Sequence, residues 1–471
     1  MISSPQHYPT MNILPPAIYV TAYLGCLVWQ AAGAAPLAAS PPMGWNSWDA
    51  YGLTINEADF KANATVLSGL KDFGWTYAVI DEGWYMENPS GEKLETRHYQ
   101  LDAHGLLVPA INRFPSASGS SGLRPLADWT HARGLQLGIH IVRGIPKQAV
   151  RDNLPIDHSN LRAADAADTA DVCPWDDGNY GVRDNAAGQA YYDSMLRLYA
   201  DWKIDFVKVD CIADHPYKAS EIRQIATAIQ RSGRPMLLSL SPGPTQLEHA
   251  GEIARYAQMW RISNDIWDGW SFVHSKPNDD FPNGVVTAFD NLARWAPYSR
   301  PGRWPDADML PFGSLAPHPG WGDARQSRLS AEEQQTQFIL WAIARSPLIL
   351  GANLTQLDER TRTLITNREL IELNQGGWTS RPAVNLPGDL ENIRVWIARR
   401  NSPTSATVVA LFNLGDRPAT IRARWDQLGV TGVHAVAWDL LSRKASGTLE
   451  AIEVTLPAHG SAAYRLKSAQ Q

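Results

Sequence analysis

The sequence predicts an α/β protein: a (β/α)8 TIM barrel followed by a C-terminal antiparallel β-sandwich domain. Two observations predict the barrel. Eight short apolar runs recur between residues 42 and 351, and helical patterns separate most of them. Apolar strands that alternate with helices are typical of a parallel sheet covered on both faces. Eight such units over roughly 330 residues favour closure into a barrel.

The predicted strands of the barrel follow one another in order along the chain. They are residues 42–48, 77–81, 135–141, 204–210, 235–241, 258–262, 303–309 and 347–351. Helical patterns between them include residues 56–74 and 220–233. We therefore expect the barrel to occupy residues 41–375.

The pattern changes after residues 374–378, where the sequence reads NQGGW. Short alternating runs follow, such as NIRVWIARR and SATVVALFNLG, and Gly, Pro, Asn and Asp separate them without a long helix. This pattern predicts an antiparallel β-sandwich of seven or eight strands over residues 380–471.

The N-terminus has the pattern of an export signal. Residues 12–31 are apolar and uncharged, and the small residues AGAAPLAAS follow. Pro15 and Pro16 interrupt the run, which argues against the alternative of a membrane anchor. We expect a signal peptide over residues 1–34, cleaved near Ala34, a periplasmic or secreted protein, and no membrane association after cleavage.

Composition narrows the class of partner. The net charge is −6 and the chain has no block of Lys or Arg, which argues against nucleic acid and anionic membranes. The 19 tryptophans suit a protein that stacks sugar rings. After signal cleavage two cysteines remain, Cys173 and Cys211, and an even count in an oxidising compartment suggests one disulfide. Two unrelated buried thiols are the alternative.

Charged residues recur where the predicted barrel strands end. They are Asp81 and Glu82, Lys208 and Asp210, Arg261 and Asp265, and Asp306 and Asp308. Helix capping could account for any single Asp. Because the carboxyl ends of barrel strands form one mouth, a shared site explains the whole set better.

The chemistry of this set favours glycoside hydrolysis, which uses two carboxylates across a pocket. Lys208 and Asp210 lie two residues apart and therefore share a strand face, so the lysine is expected to lower the pKa of the aspartate. His140 is interpreted as a hydrogen-bonding residue rather than a metal ligand. The chain has no Gly-rich phosphate loop and no zinc spacing, so we expect neither cofactor nor metal.

Five motifs, in order, resemble those of glycoside hydrolase family 27, the α-galactosidases and their relatives. They read PPMGWNSWDAYG, VIDEGW, FVKVD, MWRISNDI and WPDADML. The resemblance implies a barrel with a C-terminal β domain, a carbohydrate substrate, retention of configuration and no cofactor. It implies Asp210 as nucleophile and Asp265 as acid/base. The sugar-binding positions it implies are Trp45, Asp81, Lys208, Arg261 and Asp308.

Three departures from the family pattern bear on specificity. Glu82 stands where α-galactosidases usually have a second Asp, and its extra methylene would crowd the CH2OH of galactose, as in members that prefer β-L-arabinopyranosides. Ser241, in LSPGP, replaces the residue that reads the C2 substituent. The loop after strand three is long. It spans residues 143–185 and is called the third loop below.

We therefore predict a retaining exo-glycosidase acting on terminal α-D-galactosyl residues. A β-L-arabinopyranosidase, or another α-glycosidase of the same family, is the alternative. A catalytically inactive carbohydrate-binding barrel and a metal-dependent hydrolase are more remote. The sequence carries no prediction of oligomeric state.

Overall fold

A computed structural model describes Met1 and residues 37–89, 98–214, 216–274, 281–316, 322–383, 391–400, 406–428 and 435–468. The described residues from 37 onward belong to one compact unit. The predicted signal peptide, residues 1–34, lies outside the described residues apart from Met1.

The barrel strands form where the apolar runs predict them. They are Met43–Asn46 (β1), Tyr77–Ile80 (β2), Gln136–Val142 (β3), Phe206–Asp210 (β4), Leu237–Leu240 (β5), Met259–Arg261 (β6), Trp304–Asp306 (β7) and Leu348–Leu350 (β8). The order in the sheet is β7-β6-β5-β4-β3-β2-β1-β8, with neighbours parallel. A parallel bridge between Leu310, just after β7, and Leu350 closes the ring.

Helices follow the strands and cover their outer faces. The main ones are Glu57–Ser68 (α1), Arg124–His131 (α2), Ala186–Asp201 (α3), Ala219–Ser232 (α4), Ala250–Tyr256 (α5), Val285–Trp295 (α6), Ala331–Ala344 (α7) and Arg368–Gln375 (α8). Short helices span Trp48–Tyr51, Lys147–Arg151, Ala163–Ala166 and Glu359–Ile365. Side-chain caps determine where some of these helices begin. Before α1, the Asn56 side chain accepts a hydrogen bond from the backbone N–H of Asp59, and before α7, Ser330 forms a capping box with Glu333.

Strand alternation separates two layers of core. On β2, Tyr77 and Val79 pack with Phe206 and Met259 in a cluster that fills the barrel interior. Ala78 and Ile80, on the opposite face, belong to the larger cluster that the helices cover. Successive side chains of a strand point to opposite faces, so Lys208 and Asp210 share the interior face with Phe206.

The C-terminal strands are antiparallel, as predicted. They are Thr379–Pro382 (β9), Ile393–Arg399 (β10), Thr407–Asn413 (β11), Ala419–Arg424 (β12), Ala435–Asp439 (β13), Ala445–Leu449 (β14), Ala451–Leu456 (β15) and Ser461–Ser468 (β16). Six form one sheet in the order β9-β10-β11-β16-β13-β14, and β12 pairs with β15. A separate cluster that includes Val409, Leu411 and Ile421 lies between the two sheets, as in a sandwich.

The sandwich packs against the last part of the barrel. Thr336 on α7 donates a 2.6 Å hydrogen bond to the carbonyl of His459, and the rings of Phe289 and Phe412 meet edge to face. Within the described ranges, no helix combines the length and apolarity needed to cross a bilayer.

Candidate active site

Lys208 and Asp81 form a buried ion pair inside the mouth of the barrel. The Lys208 Nζ lies 2.9 Å from Oδ2 of Asp81, and the Asn46 amide donates to the same oxygen at 2.6 Å. Burial opposes ionisation of Asp81, but interaction with His140 and Lys208 holds its pKa well below the ordinary value. Burial likewise opposes the charge of Lys208, yet Asp81 and Asp210 raise its pKa. The lysine on β4 is therefore charged and paired.

Asp210 ends β4 and is surrounded by hydrogen-bond donors. Its Oδ1 accepts from the backbone N–H of Cys211 at 2.5 Å, and its Oδ2 lies 3.3 Å from both His140 Nε2 and Ser241 Oγ. Burial alone would raise the pKa of Asp210, but His140, Lys208 and the Cys211 N–H together lower it. Asp210 is thus an anion set among donors.

The cause of the low pKa of Asp210 differs from the sequence expectation. The sequence assigned it to Lys208, but the larger contribution comes from the hydrogen bond and charge interaction with His140. The reason is register: β3 pairs with β4 so that His140 faces Lys208 across the sheet, which brings the imidazole within reach of the carboxylate. Lys208 pairs directly with Asp81 instead.

Arg261, at the end of β6, organises the acids that follow β6 and β7. Its guanidinium lies 2.8 Å from Asp308 and 3.1 Å from Asp265. The side chain of Asp308 is 3% exposed, whereas that of Asp265 is 32% exposed and reachable from solvent. Asp308 also accepts the backbone N–H of Ile266, so it holds the chain that carries Asp265. One carboxylate oxygen of Asp265 is therefore held by Arg261, and the side chain can be reached from solvent.

Glu82 lies next to Asp81 and contacts the third loop. Its side chain is hydrogen-bonded to that of Asp176, and burial together with the acids Asp176, Asp210 and Asp81 raises the pKa of Glu82 well above its ordinary value. Asp176 is itself only 4% exposed. The mouth thus contains a pair of acids in direct contact beside the nucleophile position.

Trp45 is not part of this constellation. It is fully buried on the outer face of β1, its indole N–H donates to the carbonyl of Ala352 at 2.8 Å, and its ring packs against Tyr51 and Phe60. Strand alternation is the reason, because Asn46 takes the interior face and its neighbour must face outward. Trp48 is partly buried and packs against the interior cluster.

The predicted disulfide is confirmed. Cys173 and Cys211 are bonded, with their Cα atoms 6.0 Å apart. The bond joins the third loop to the residue after Asp210.

Comparison with known proteins decides the family. Residues 175–376 match the family described as "Alpha galactosidase A", and residues 391–466 match "Alpha galactosidase C-terminal beta sandwich domain". The chain is 30% identical to Alpha-galactosidase 2 of Arabidopsis thaliana, over 85% of this chain and 82% of the relative. The chain belongs to glycoside hydrolase family 27.

Two further proteins are similar to this one over almost the whole length. Alpha-galactosidase A of Cellvibrio japonicus is 29% identical over 91% of this chain and 92% of the relative. A family 27 β-L-arabinopyranosidase of Geobacillus stearothermophilus, solved in complex with arabinose, is 38% identical, with a TM-score of 0.85 over 92% of this chain and 98% of that one. This protein is accordingly a glycoside hydrolase.

Sequence reasoning missed Asn46 and Asp176 at the mouth of this family 27 enzyme, and it interpreted His140 as a hydrogen-bonding residue without naming Asp210 as its partner. Asn46 and His140 left a signal, because a polar residue in an apolar strand costs free energy unless it has a partner. Asn46 ends β1 and His140 lies within QLGIHIV, so the strand-end rule applied to the other strands would have found Asn46. Asp176 left no signal, because its burial depends on how the third loop folds.

Proposed function

We propose that the protein hydrolyses terminal α-D-galactosyl residues of oligo- or polysaccharides by double displacement with retention of configuration. The observation that carries the proposal is the contrast between two carboxylates at one mouth. Asp210 is held as an anion by three donors, and Asp265, four residues after Arg261 of β6, is 32% exposed and open to solvent. Retaining glycosidases need such a pair.

In the proposed reaction, Asp210 attacks the anomeric carbon while Asp265 gives its proton to the glycosidic oxygen, and the C1–O bond breaks. The leaving sugar departs and a glycosyl ester remains on Asp210. Asp265, now a carboxylate, removes a proton from water, whose oxygen attacks the anomeric carbon and displaces Asp210. Two inversions give retention.

We assign the binding of the glycone to Asp81, Lys208, Arg261 and Asp308, with Glu82 and Ser241 beside them. The Asp81–Lys208 pair keeps its carboxylate and ammonium groups charged inside the barrel. Arg261 lies 2.8 Å from Asp308, and burial raises the pKa of Asp308 to about 7. Charged donors and acceptors in a fixed array match the hydroxyls of a sugar. Trp45 is left out of this assignment because it has no exposed surface.

A second candidate, β-L-arabinopyranosidase activity, is favoured by Glu82 and by the 38% identity to the Geobacillus stearothermophilus enzyme. β-L-Arabinopyranose has the ring configuration of α-D-galactose without C6. The two activities therefore need the same catalytic pair and differ only in the room near C5. We also propose export to the periplasm or the exterior, with cleavage near Ala34, which the mass of the secreted protein would test.

The experiment is hydrolysis of a panel of nitrophenyl glycosides, with the anomer of the first-formed product followed by NMR. We expect activity on the α-D-galactoside, retained configuration, no effect of chelator, and no turnover by Asp210→Ala until azide is added. Asp265→Ala should lose activity mainly on substrates with poor leaving groups. Inverted product would exclude double displacement, and inhibition by chelator would favour a metal-dependent hydrolase.

A further inference from the structure

The third loop contains a small antiparallel sheet whose tip reaches the mouth of the barrel. Strands Ala167–Val172 and Asn179–Val182 form a hairpin, and Ile145–Pro146 pairs with its second strand. Residues 173–178 form the turn, here called the hairpin tip.

The hairpin tip is anchored on both sides. The Cys173–Cys211 disulfide joins its first residue to the end of β4. On the other side, the buried Asn179 amide donates to the carbonyls of Val142 and Arg143 at the end of β3, at 3.1 and 3.2 Å. Two anchors on neighbouring barrel strands hold the tip in one place.

Asp176 points inward from this anchored tip. It is 4% exposed, and its Oδ1 accepts the backbone N–H of Gly178 at 2.9 Å, while the Tyr99 hydroxyl lies 3.5 Å from the same oxygen. Its neighbour Asp177 is different: that side chain is 55% exposed and pairs with Lys147 at 2.8 Å. Of the two acids, only Asp176 is directed at the site.

We infer that Asp176 is a specificity-determining residue: its contact with Glu82, made through one shared proton, fixes the Glu82 side chain and so sets the room available to a substituent on C5 of the sugar. The inference rests on the proposed function, because it assumes that a galacto-configured glycone occupies the mouth. It assigns the selectivity to a pair of residues, one at the end of β2 and one on the third loop.

Electrostatics support the shared proton. Two carboxyl groups in contact cannot both ionise away from water, so one of them keeps its proton. Burial and the charges of Asp176, Asp210 and Asp81 act in the same direction on Glu82, so Glu82 carries that proton. A protonated Glu82 donates to Asp176 and cannot turn freely toward the sugar or away from it.

The test compares two specificities. The measured quantity is kcat/KM for nitrophenyl α-D-galactoside divided by kcat/KM for nitrophenyl β-L-arabinopyranoside. In Asp176→Ala, Glu82 gains rotamers that leave the C5 region, so we expect this ratio to rise by about 10-fold, within the range set by one misplaced methylene. In Asp176→Asn, the amide donates to an ionised Glu82 and keeps it in place, so the ratio should stay within about 3-fold of wild type.

A double-mutant cycle separates this role from a general loss of structure. If Asp176 acts through Glu82, Asp176→Ala should leave the ratio unchanged in a Glu82→Ala background. Asp177→Asn is the matched control, one position away on the same tip, and should not change the ratio. Should Asp176→Ala fail to fold, Asp176→Ser, too short to reach Glu82, takes its place.

The outcomes are distinct. Three results together support the inference. The ratio rises in Asp176→Ala, it stays near the wild-type value in Asp176→Asn, and in the Glu82→Ala background it does not change when Asp176→Ala is added. An unchanged ratio in folded Asp176→Ala or Asp176→Ser overturns it while the proposed function stands. A wild-type protein that hydrolyses neither substrate overturns the proposed function, and the inference with it.

Discussion

His140 Nε2 lies 3.3 Å from Oδ2 of Asp210, and this interaction does more than Lys208 to keep the carboxylate ionised. The imidazole is 1% exposed, whereas the side chain of Asp210 is 19% exposed. The neighbouring Lys208 is committed to Asp81 at 2.9 Å. His140, on the neighbouring strand β3, therefore controls the protonation of Asp210, the proposed nucleophile.

His140→Phe should impair the enzyme most at acid pH. The substitution removes an influence that lowers the pKa of Asp210, so this pKa rises, and the anion needed for attack is lost at a higher pH as the solution is acidified. Loss of a hydrogen bond to a charged group costs about 1.5–3 kcal/mol. The measurement is the acid limb of the kcat/KM profile, which should move to higher pH.

The control for this prediction is His131→Phe. His131 pairs with Asp205 at 2.7 Å, and Asp205 precedes β4, at the opposite end of that strand from Asp210. Its removal should leave the pH profile unchanged. An acid limb that stays in place in His140→Phe would show that the imidazole does not control the nucleophile.

Lys208→Met should weaken the protein in a pH-dependent way. Removing one partner of a buried ion pair costs about 3–5 kcal/mol. The folded-state pKa of Asp81 is depressed, so its stabilising contribution is present above the ordinary pKa of about 3.9 and is lost as pH falls through the folded value. In Lys208→Met the folded-state pKa of Asp81 rises. Part of the stabilisation that ionised Asp81 provides is therefore lost at a higher pH than in the wild type.

We therefore expect the difference in unfolding free energy between wild type and Lys208→Met to be largest near neutral pH and to narrow toward about pH 4. Denaturant unfolding at several pH values measures it. Turnover should also fall, because Asp210 loses a favourable charge. A variant with unchanged kcat and a raised KM would show that Lys208 only holds substrate.

Glu82→Asp should raise activity on the α-D-galactoside relative to the β-L-arabinopyranoside. Removal of one methylene opens space near C5, and a misfit of that size is worth about 10–200-fold in discrimination. Kinetics of both substrates on both proteins give the ratio. If the ratio does not change, specificity must depend on Ser241 or on the third loop instead.

Cys173→Ser should lower the free energy of unfolding by about 2–4 kcal/mol, as expected for a bond that closes a loop of 38 residues. The proposed nucleophile adjoins Cys211, so kcat/KM should fall too. Cys211→Ser and the double variant should lose the same stability as Cys173→Ser, because all three remove one bond. Additive losses would mean that the cysteines stabilise the protein separately.

Gly44→Ala should destabilise the barrel severely. A Cβ on Gly44 of β1 would collide with the backbone oxygen of Tyr77 on β2, and backbone in a paired strand cannot move aside. Gly447→Ala, in β14, is the control, since a Cβ at that position would have no atom of the described residues within 4 Å. Thermal unfolding should show that the free energy of unfolding falls by more than about 3 kcal/mol in Gly44→Ala and hardly changes in Gly447→Ala.

The order of residues along the chain was enough to predict the barrel, because apolar runs that alternate with helices are a local property. It was also enough to place Asp81, Lys208, Asp210 and Arg261 at one mouth, since parallel strands of a barrel share the direction of their carboxyl ends. Each of these conclusions needs only the residue order and the period of a strand.

Contacts across strands and loops, by contrast, emerged only in the folded protein. Register between β3 and β4 brought His140 to Asp210, and the pairing of β1 with β2 brought the Asn46 amide to Asp81. The contact between Glu82 and Asp176 depends on a hairpin anchored by two different barrel strands. Such contacts join residues far apart in the chain, and the free energy that selects them comes from packing and charge in the folded protein, which local patterns do not encode.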